Sequence, residues 1–139
     1  MKKILVIIFL ILSTSVLSAN ERDTKLDKLF LELKKNIPSL SPGIAEQIWK
    51  LWSTHPTDQK LTSLLDEGSM LVQDQQLNKA IVVFTEAIEL DPNWAEAWNK
   101  RATVLFMIGE FQKSQDDIDK VLELEERHFG ALAGQGMVN

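Results

Sequence analysis

The chain has 139 residues, of which 45% are hydrophobic and 25% are charged, and its formal net charge is −5. This length and composition are typical of one globular domain, and the acidic balance argues against nucleic acid or an anionic membrane surface as a partner. The sequence holds no cysteine, which excludes disulfides, thiol catalysis, cysteine-based metal sites and a lipoprotein anchor.

Residues 1–19 have the pattern of a secretory signal peptide. Lys2 and Lys3 form a positive start, a short apolar run follows, and small and polar residues close the segment. The apolar run is too short for a good membrane-spanning helix, so we expect cleavage after Ser18 or Ala19. The sequence therefore predicts an exported, periplasmic protein. The alternative is a protein tethered to the inner membrane by an uncleaved N-terminal segment.

Residues 20–57 hold two amphipathic helical patterns separated by a proline-containing break. We expect these two helices to form an N-terminal cap that covers the apolar edge of the helices that follow, because an end unit of a helical stack has one neighbour only. The alternative is that Trp49 and Trp52 form an exposed surface that grips a ligand. The apolar stripes of the two helices are Leu26, Leu29, Phe30 and Leu33, and Ile44, Ile48, Trp49 and Trp52.

The remaining sequence repeats itself with a 34-residue period. Large and small apolar residues recur at matching positions, and within each copy they share one face of a helix. The pattern therefore predicts antiparallel helix pairs that stack on one another. The matching positions are Leu64 and Trp98, Gly68 and Ala102, Leu71 and Leu105, Ala80 and Ser114, Phe84 and Ile118, and Ala87 and Val121.

Local signals within the first copy agree with a helix pair. Gly68 is small where two helices must approach closely, and Phe84 is large enough to fill the space beside it. Pro92 ends the second helix, because proline cannot continue one. Asn93 then predicts an N-cap for the next helix, with Glu96 three residues later as in a capping box.

These residues resemble the tetratricopeptide repeat (TPR), a helix–turn–helix unit of this period. The resemblance implies an all-α fold, a short α-solenoid of antiparallel helix pairs. We expect a TPR domain over residues 58–139, with repeats at about 61–94 and 95–128 and a partial third repeat at 129–139. The chain also resembles small secreted bacterial TPR proteins, a likeness that implies no defined activity.

The second repeat departs from the TPR signature in its second helix and at the boundary that follows. Ser114 and Val121 replace alanines, and Glu126 replaces proline. We expect the helix pair to survive with looser contacts, while the position of the next boundary stays open.

The sequence predicts no catalytic residue, no cofactor site and no metal site. His55 and His128 lack partners at a suitable spacing and are interpreted as turn or capping histidines. Asp116, Asp117 and Asp119 lie in a helical pattern without the loop of a calcium site. We expect them to form a solvated face or to pair with Arg101 and Lys120.

By the TPR resemblance, the first helix of each pair lines a concave groove that binds a protein or peptide. The predicted groove mixes apolar and uncharged polar side chains with one acid, which suits an extended or helical peptide. Ordinary packing between repeats is the alternative for Leu65 and Phe106. The groove residues are Thr62, Leu65, Ser69, Val72, Gln73, Glu96, Asn99, Thr103, Phe106 and Met107.

The C-terminal stretch matches the first helix of a third repeat. Leu132 and Gly136 fall one repeat period after Trp98 and Ala102, so we expect them to face inward from a lone closing helix. The other face carries almost no charge, which predicts an open apolar end for self-association or partner docking. The residues of this open end are Ala131, Ala133, Met137 and Val138.

These observations predict a non-catalytic, exported TPR scaffold or adaptor that binds a protein or peptide in the cell envelope. The first alternative is a structural protein that self-associates as a homodimer through its C-terminal end. The second, a hydrolase, is less favoured. We expect no cofactor, no nucleic acid and no small-molecule substrate, and membrane contact only through an uncleaved signal.

Overall fold

The computed structural model describes residues 20–138, except for the side chain of Val138. Within this range the chain forms seven helices and no strand, as the sequence predicts. The predicted signal peptide lies outside the described residues. No helix in the described part of the chain combines the length and apolar character that crossing a membrane requires. The helices are α1 (20–33), α2 (Ser41–Ser53), α3 (Gln59–Gln73), α4 (Leu77–Leu90), α5 (Ala95–Met107), α6 (Phe111–Leu124) and α7 (Phe129–Val138).

The chain divides into two compact units, one ending at Gln59 and the other beginning at Lys60. In the first unit, the guanidinium of Arg22 on α1 donates two hydrogen bonds, of 3.2 and 3.1 Å, to the carbonyl of Leu51 near the end of α2. These bonds satisfy a carbonyl that the helix leaves without an internal partner. The predicted covering role of this unit stays a prediction. Its buried apolar side chains are Leu26, Leu29, Ile44, Ile48 and Trp52.

The second unit repeats its backbone geometry with the same period as its sequence. Gln75 and Gly109 follow α3 and α5 with positive φ angles of 59° and 83°. The next amide in each case, that of Gln76 or Glu110, bonds back to the carbonyl of Leu71 or Leu105 at 2.8 and 2.9 Å. This is the Schellman pattern, in which a left-handed residue lets the chain reverse while the last helical carbonyls stay bonded.

The turns that follow α4 and α6 also match. The carboxylate of Asp91 accepts a 2.9 Å hydrogen bond from the amide of Asn93. One repeat period later, the carboxylate of Glu125 accepts a 3.0 Å bond from the amide of Arg127. The same carboxylate-bonded turn therefore follows both α4 and α6. The second repeat forms it with Glu126 at the position that Pro92 holds in the first repeat.

The capping box predicted for α5 is wrong. The helix begins at Ala95 without a side-chain cap, and the amide of Asn93 is used in the preceding turn. Glu96 does not fold back onto the backbone, because its carboxylate is buried and bonded elsewhere.

The core of the second unit follows the predicted helix faces. Phe84 is buried directly beside Gly68, and Ile118 is buried at the matching place in the second repeat. Ser114 is fully buried, and its hydroxyl donates a 2.9 Å bond to the carbonyl of Ala102. The serine therefore replaces alanine without leaving a buried polar group unsatisfied.

The closing helix α7 forms as predicted, but it packs with a different face. Ala131 is buried and Gly134 lies against Ile118, whereas Leu132 is 48% exposed and Gly136 has open space beside it. On α5, the face that corresponds to Leu132 and Gly136 is covered by α6. No described helix covers that face of α7. The predicted inward register of Leu132 and Gly136 and the predicted exposure of Ala131 are therefore wrong.

Candidate partner-binding groove

The first repeat contributes few accessible side chains to the predicted groove. Leu65 is 1% exposed and belongs to the hydrophobic core, so it packs the repeat and is not available to a ligand. Thr62, Ser69 and Val72 are half-buried, and Gln73 is exposed. The Ser69 hydroxyl donates to the carbonyl of Leu65 at 2.8 Å, which is a common arrangement for serine within a helix.

In the second repeat the predicted residues separate into a buried pair and an accessible group. Glu96 and Asn99 are buried, at 1% and 8% exposure, while Thr103 and Met107 are exposed and Phe106 is half-buried. Glu96 and Asn99 therefore offer little surface to a partner, whereas the other three side chains are more accessible.

A pocket of about 180 Å³ opens between α5, α6 and α7. It brings four predicted groove residues together with Met137 of the predicted open end. None of the predicted groove residues of the first repeat lines it. The groove and the C-terminal end, which the sequence treats as separate surfaces, therefore share one pocket in this structure. Its lining residues are Asn99, Ala102, Thr103, Phe106, Met107, Ser114, Ile118, Gly130, Gly134 and Met137.

His128 connects the first turn of α7 with α5 through contacts of both its ring nitrogens. Its ring is fully buried, with Nε2 lying 2.9 Å from Oε2 of Glu96. Its Nδ1 accepts a 3.2 Å hydrogen bond from the amide of Ala131 in the first turn of α7. Because Nδ1 is an acceptor, the ring proton sits on Nε2 and is donated to the carboxylate. The interpretation of His128 as a capping histidine is confirmed.

Sequence reasoning missed that Glu96 is the partner of His128, although the repeat itself held a signal. His128 lies one repeat period after Trp94, whose side chain is also buried, at 4% exposure. The repeat alignment could therefore have identified position 128 as an inward one. Which buried group would meet the imidazole there depends on packing between helices.

The Glu96 carboxylate also orients Asn99. Nδ2 of Asn99 lies 3.3 Å from Oε2, and the ammonium of Lys100 lies 3.5 Å from Oε1. These neighbours and His128 stabilise a carboxylate that is otherwise removed from water. The resulting arrangement holds a polar amide rigidly at the wall of a mainly apolar pocket.

The acidic cluster on α6 is structural. The guanidinium of Arg101 makes two 2.8 Å bonds to the carboxylate of Asp117 and a third, of 3.1 Å, to the hydroxyl of Thr85. It also lies over the ring of Trp98, 5.0 Å from the centroid. The predicted pairing of Asp117 with Arg101 is confirmed, and the network joins α4, α5 and α6.

Other polar candidates have local roles. Lys120, predicted as a partner for the acidic cluster, pairs with Glu123 at 2.9 Å. Asp116 and Asp119 accept bonds from glutamines one turn earlier. Nδ1 of His55 accepts bonds from two amides in its turn, which confirms its interpretation as a turn histidine. Among the described residues no group of three or more histidine, aspartate or glutamate side chains is placed to hold a metal ion.

Glu125 ends α6 with a perturbed carboxyl. Its burial raises the pKa, but hydrogen bonds from the side chain and backbone of Arg127, together with the charge of that guanidinium, outweigh this effect. The pKa of Glu125 is therefore lower than its ordinary value of 4.5. The side-chain bonds from Arg127 measure 2.8 and 3.0 Å.

Helix pairs that recur with the 34-residue period and pack side by side define the second unit as a short α-solenoid. A family model described as TPR repeat matches residues 68–109, which run from the middle of α3 to the turn after α5. The chain is also 36% identical to a TPR repeat-containing protein of Rhizobium etli over 115 residues, or 82% of this chain. The chain therefore carries tetratricopeptide repeats, units that in general form non-catalytic scaffolds for protein interactions.

The chain is also similar to two further proteins. The chain is 33% identical to tetratricopeptide repeat protein 36 of Caenorhabditis elegans over 89 residues, or 63% of this chain. It is 28% identical to sperm-associated antigen 1 of Rattus norvegicus over 89 residues, or 60% of this chain. The matches cover 56% of the Rhizobium protein, 50% of the Caenorhabditis protein and 10% of the rat protein, so the chain spans only part of each relative.

Proposed function

We propose that this protein is an exported, non-catalytic TPR scaffold that binds a protein or peptide segment in the cell envelope. The observation that carries the proposal is the pocket between α5, α6 and α7, which is lined without any charged side chain. Such a surface suits an uncharged segment of a partner, held by apolar contacts and a few hydrogen bonds.

Export is supported by the segment 1–19, whose two lysines, apolar run and small residues have the layout of a cleaved signal. We propose a periplasmic location for the mature chain. To test export, the protein is recovered from the periplasm of an expressing bacterium and its mass is measured. A chain that begins at Ala19 or Asn20 supports export, and an intact N terminus in the membrane fraction contradicts cleavage.

The binding role is tested with a Met107→Glu variant, which places a charge on an exposed side chain at the pocket wall. The matched control is Leu90→Glu, which changes a similarly exposed residue on α4 away from the pocket. The mature wild type and both variants are immobilised and exposed to envelope extract. We expect one polypeptide to be retained by the wild type and the control and lost by Met107→Glu. Equal retention by all three contradicts the proposal.

Self-association is the second candidate, favoured by the exposed apolar side chains of α7. Leu132 and Met137 are 48% and 65% exposed. Light scattering across a concentration series tests this, with Leu132→Glu as the disrupting variant. A wild-type dimer that the variant abolishes favours the second candidate, and a monomer at all concentrations removes it.

A further inference from the structure

The pocket between α5, α6 and α7 has the size and lining of a site for one aromatic ring system. Its volume is about 180 Å³, similar to the ~150 Å³ apolar cavity that binds benzene in an engineered protein. Its lining residues include one with an aromatic ring, Phe106, and two with thioethers, Met107 and Met137. Both groups make favourable contacts with aromatic rings.

The side-chain amide of Asn99, which lines this pocket, can accept a hydrogen bond that the described residues do not supply. Asn99 lines the pocket at 8% exposure, and its amide nitrogen faces the Glu96 carboxylate at 3.3 Å. The orientation of the amide is determined, because an ionised carboxylate can only accept hydrogen bonds. This leaves Oδ1 as the acceptor of a residue that lines the pocket, and no hydrogen bond to this oxygen is made by the described residues.

We propose that the pocket receives the side chain of a tryptophan from the partner polypeptide, with the indole N–H donating to Oδ1 of Asn99. An indole is aromatic, uncharged and carries one ring donor, so it matches both the apolar wall and the single acceptor. A phenyl ring fills the same space but leaves the acceptor unsatisfied, which costs binding free energy. This inference rests on the function proposed above and specifies the chemistry of the bound segment.

The test measures binding of N-acetyl-tryptophanamide and N-acetyl-phenylalaninamide to the full mature chain by NMR titration. We expect the tryptophan compound to bind about 2- to 10-fold more tightly, which is the effect of one net hydrogen bond. Free indole and indene, an isostere without the N–H, should differ by a similar factor. A tyrosine or phenylalanine amide that binds as tightly as the tryptophan compound overturns the assignment.

Matched variants test whether the tryptophan compound binds in this pocket. Met137→Glu puts a carboxylate at the pocket and should weaken binding of the tryptophan compound at least tenfold. Leu90→Glu adds the same charge to an exposed residue of α4 outside the pocket lining and should leave binding unchanged. Equal loss in both variants, or no loss in either, overturns the proposed location.

Asn99→Leu tests the hydrogen bond directly, since the first repeat holds Leu65 at the matching position. We expect this variant to lose the preference for tryptophan over phenylalanine while still binding both. If the variant does not fold, the indole and indene comparison on the wild type decides the same point. Binding of free indole without the tryptophan compound contradicts a polypeptide ligand. Retention of an envelope protein without any tryptophan preference overturns this inference and leaves the proposed scaffold function intact.

Discussion

Gly68 of α3 lies directly against the ring of Phe84 on α4, and Gly68→Ala should destabilise the second unit. A Cβ atom at this position would lie 2.7 Å from Cζ and 2.8 Å from Cδ1 of Phe84, and closer still to Cε1. Such distances are far inside van der Waals contact. The ring of Phe84 is only 1% exposed and packs within the core, so it has no free space into which to move.

The expected magnitude is a loss of about 2 kcal/mol in the free energy of unfolding. Overfilling a packed core costs about 1–3 kcal/mol, and an overlap with a buried ring belongs at the upper end of that range. Replacing a helical glycine by alanine returns about 1 kcal/mol through helix propensity. The net loss should lower the melting temperature by about 10 °C, followed by far-ultraviolet circular dichroism.

The second repeat indicates which second substitution should offset the destabilisation by Gly68→Ala. It has alanine at position 102 and isoleucine at position 118, the places of Gly68 and Phe84, and both are buried. The double variant Gly68→Ala, Phe84→Ile should therefore be more stable than the sum of the two single changes predicts, by at least about 1 kcal/mol. Gly136→Ala is the control, since a Cβ there meets nothing within 4 Å, and it should be neutral or stabilising. A Gly68→Ala protein as stable as the wild type would refute the close-packing argument.

Three further predictions concern the turns and the buried charges. Gln75→Gly should stabilise the chain by about 1 kcal/mol in urea unfolding, because φ is 59° at this non-glycine residue; a loss of stability contradicts this. Arg101→Met should cost about 2–3 kcal/mol, since it leaves the nearly buried Asp117 carboxylate without its charged partner, and adding Asp117→Leu should recover most of the loss. The lowered pKa of Glu125 means that its contribution to stability is present above its ordinary value of 4.5 and is lost as the pH falls through the lower folded value. Arg127→Gln should therefore raise the pH at which acid unfolding occurs, and an unchanged acid midpoint would contradict this reading of the turn.

Within the repeats, most of the fold was predictable because its signals are local. The spacing of apolar residues along one helix face and the 34-residue period both depend on near neighbours in the chain. The left-handed turns at Gln75 and Gly109 recur with the same period. The glycine of the second turn was visible in the sequence, whereas the glutamine of the first was not, since glutamine has no intrinsic preference for positive φ.

The candidate site was less predictable, because its parts come from three helices. The sequence placed Asn99, Thr103, Phe106 and Met107 on one helix face, and the structure adds the walls from α6 and α7 that make this face a pocket. The sequence could not show that Glu96 is buried. A glutamate in the first turn of a helix has the same position relative to the apolar residues when it lies at the surface.

The sequence by itself determined that the second unit is a stack of helix pairs, because its apolar residues share one helix face in each of two copies with a 34-residue period. Tertiary structure decided which face of α7 is inward and which partners the buried charges take. Ala131 rather than Leu132 is buried against α5 and α6, in a cluster with Ala102, Ile118 and Val121. The contact between His128 and Glu96 joins two distant parts of the chain and exists only once α7 is docked on α5. Such a contact depends on the distance between two side chains in space, which no local pattern in the chain encodes.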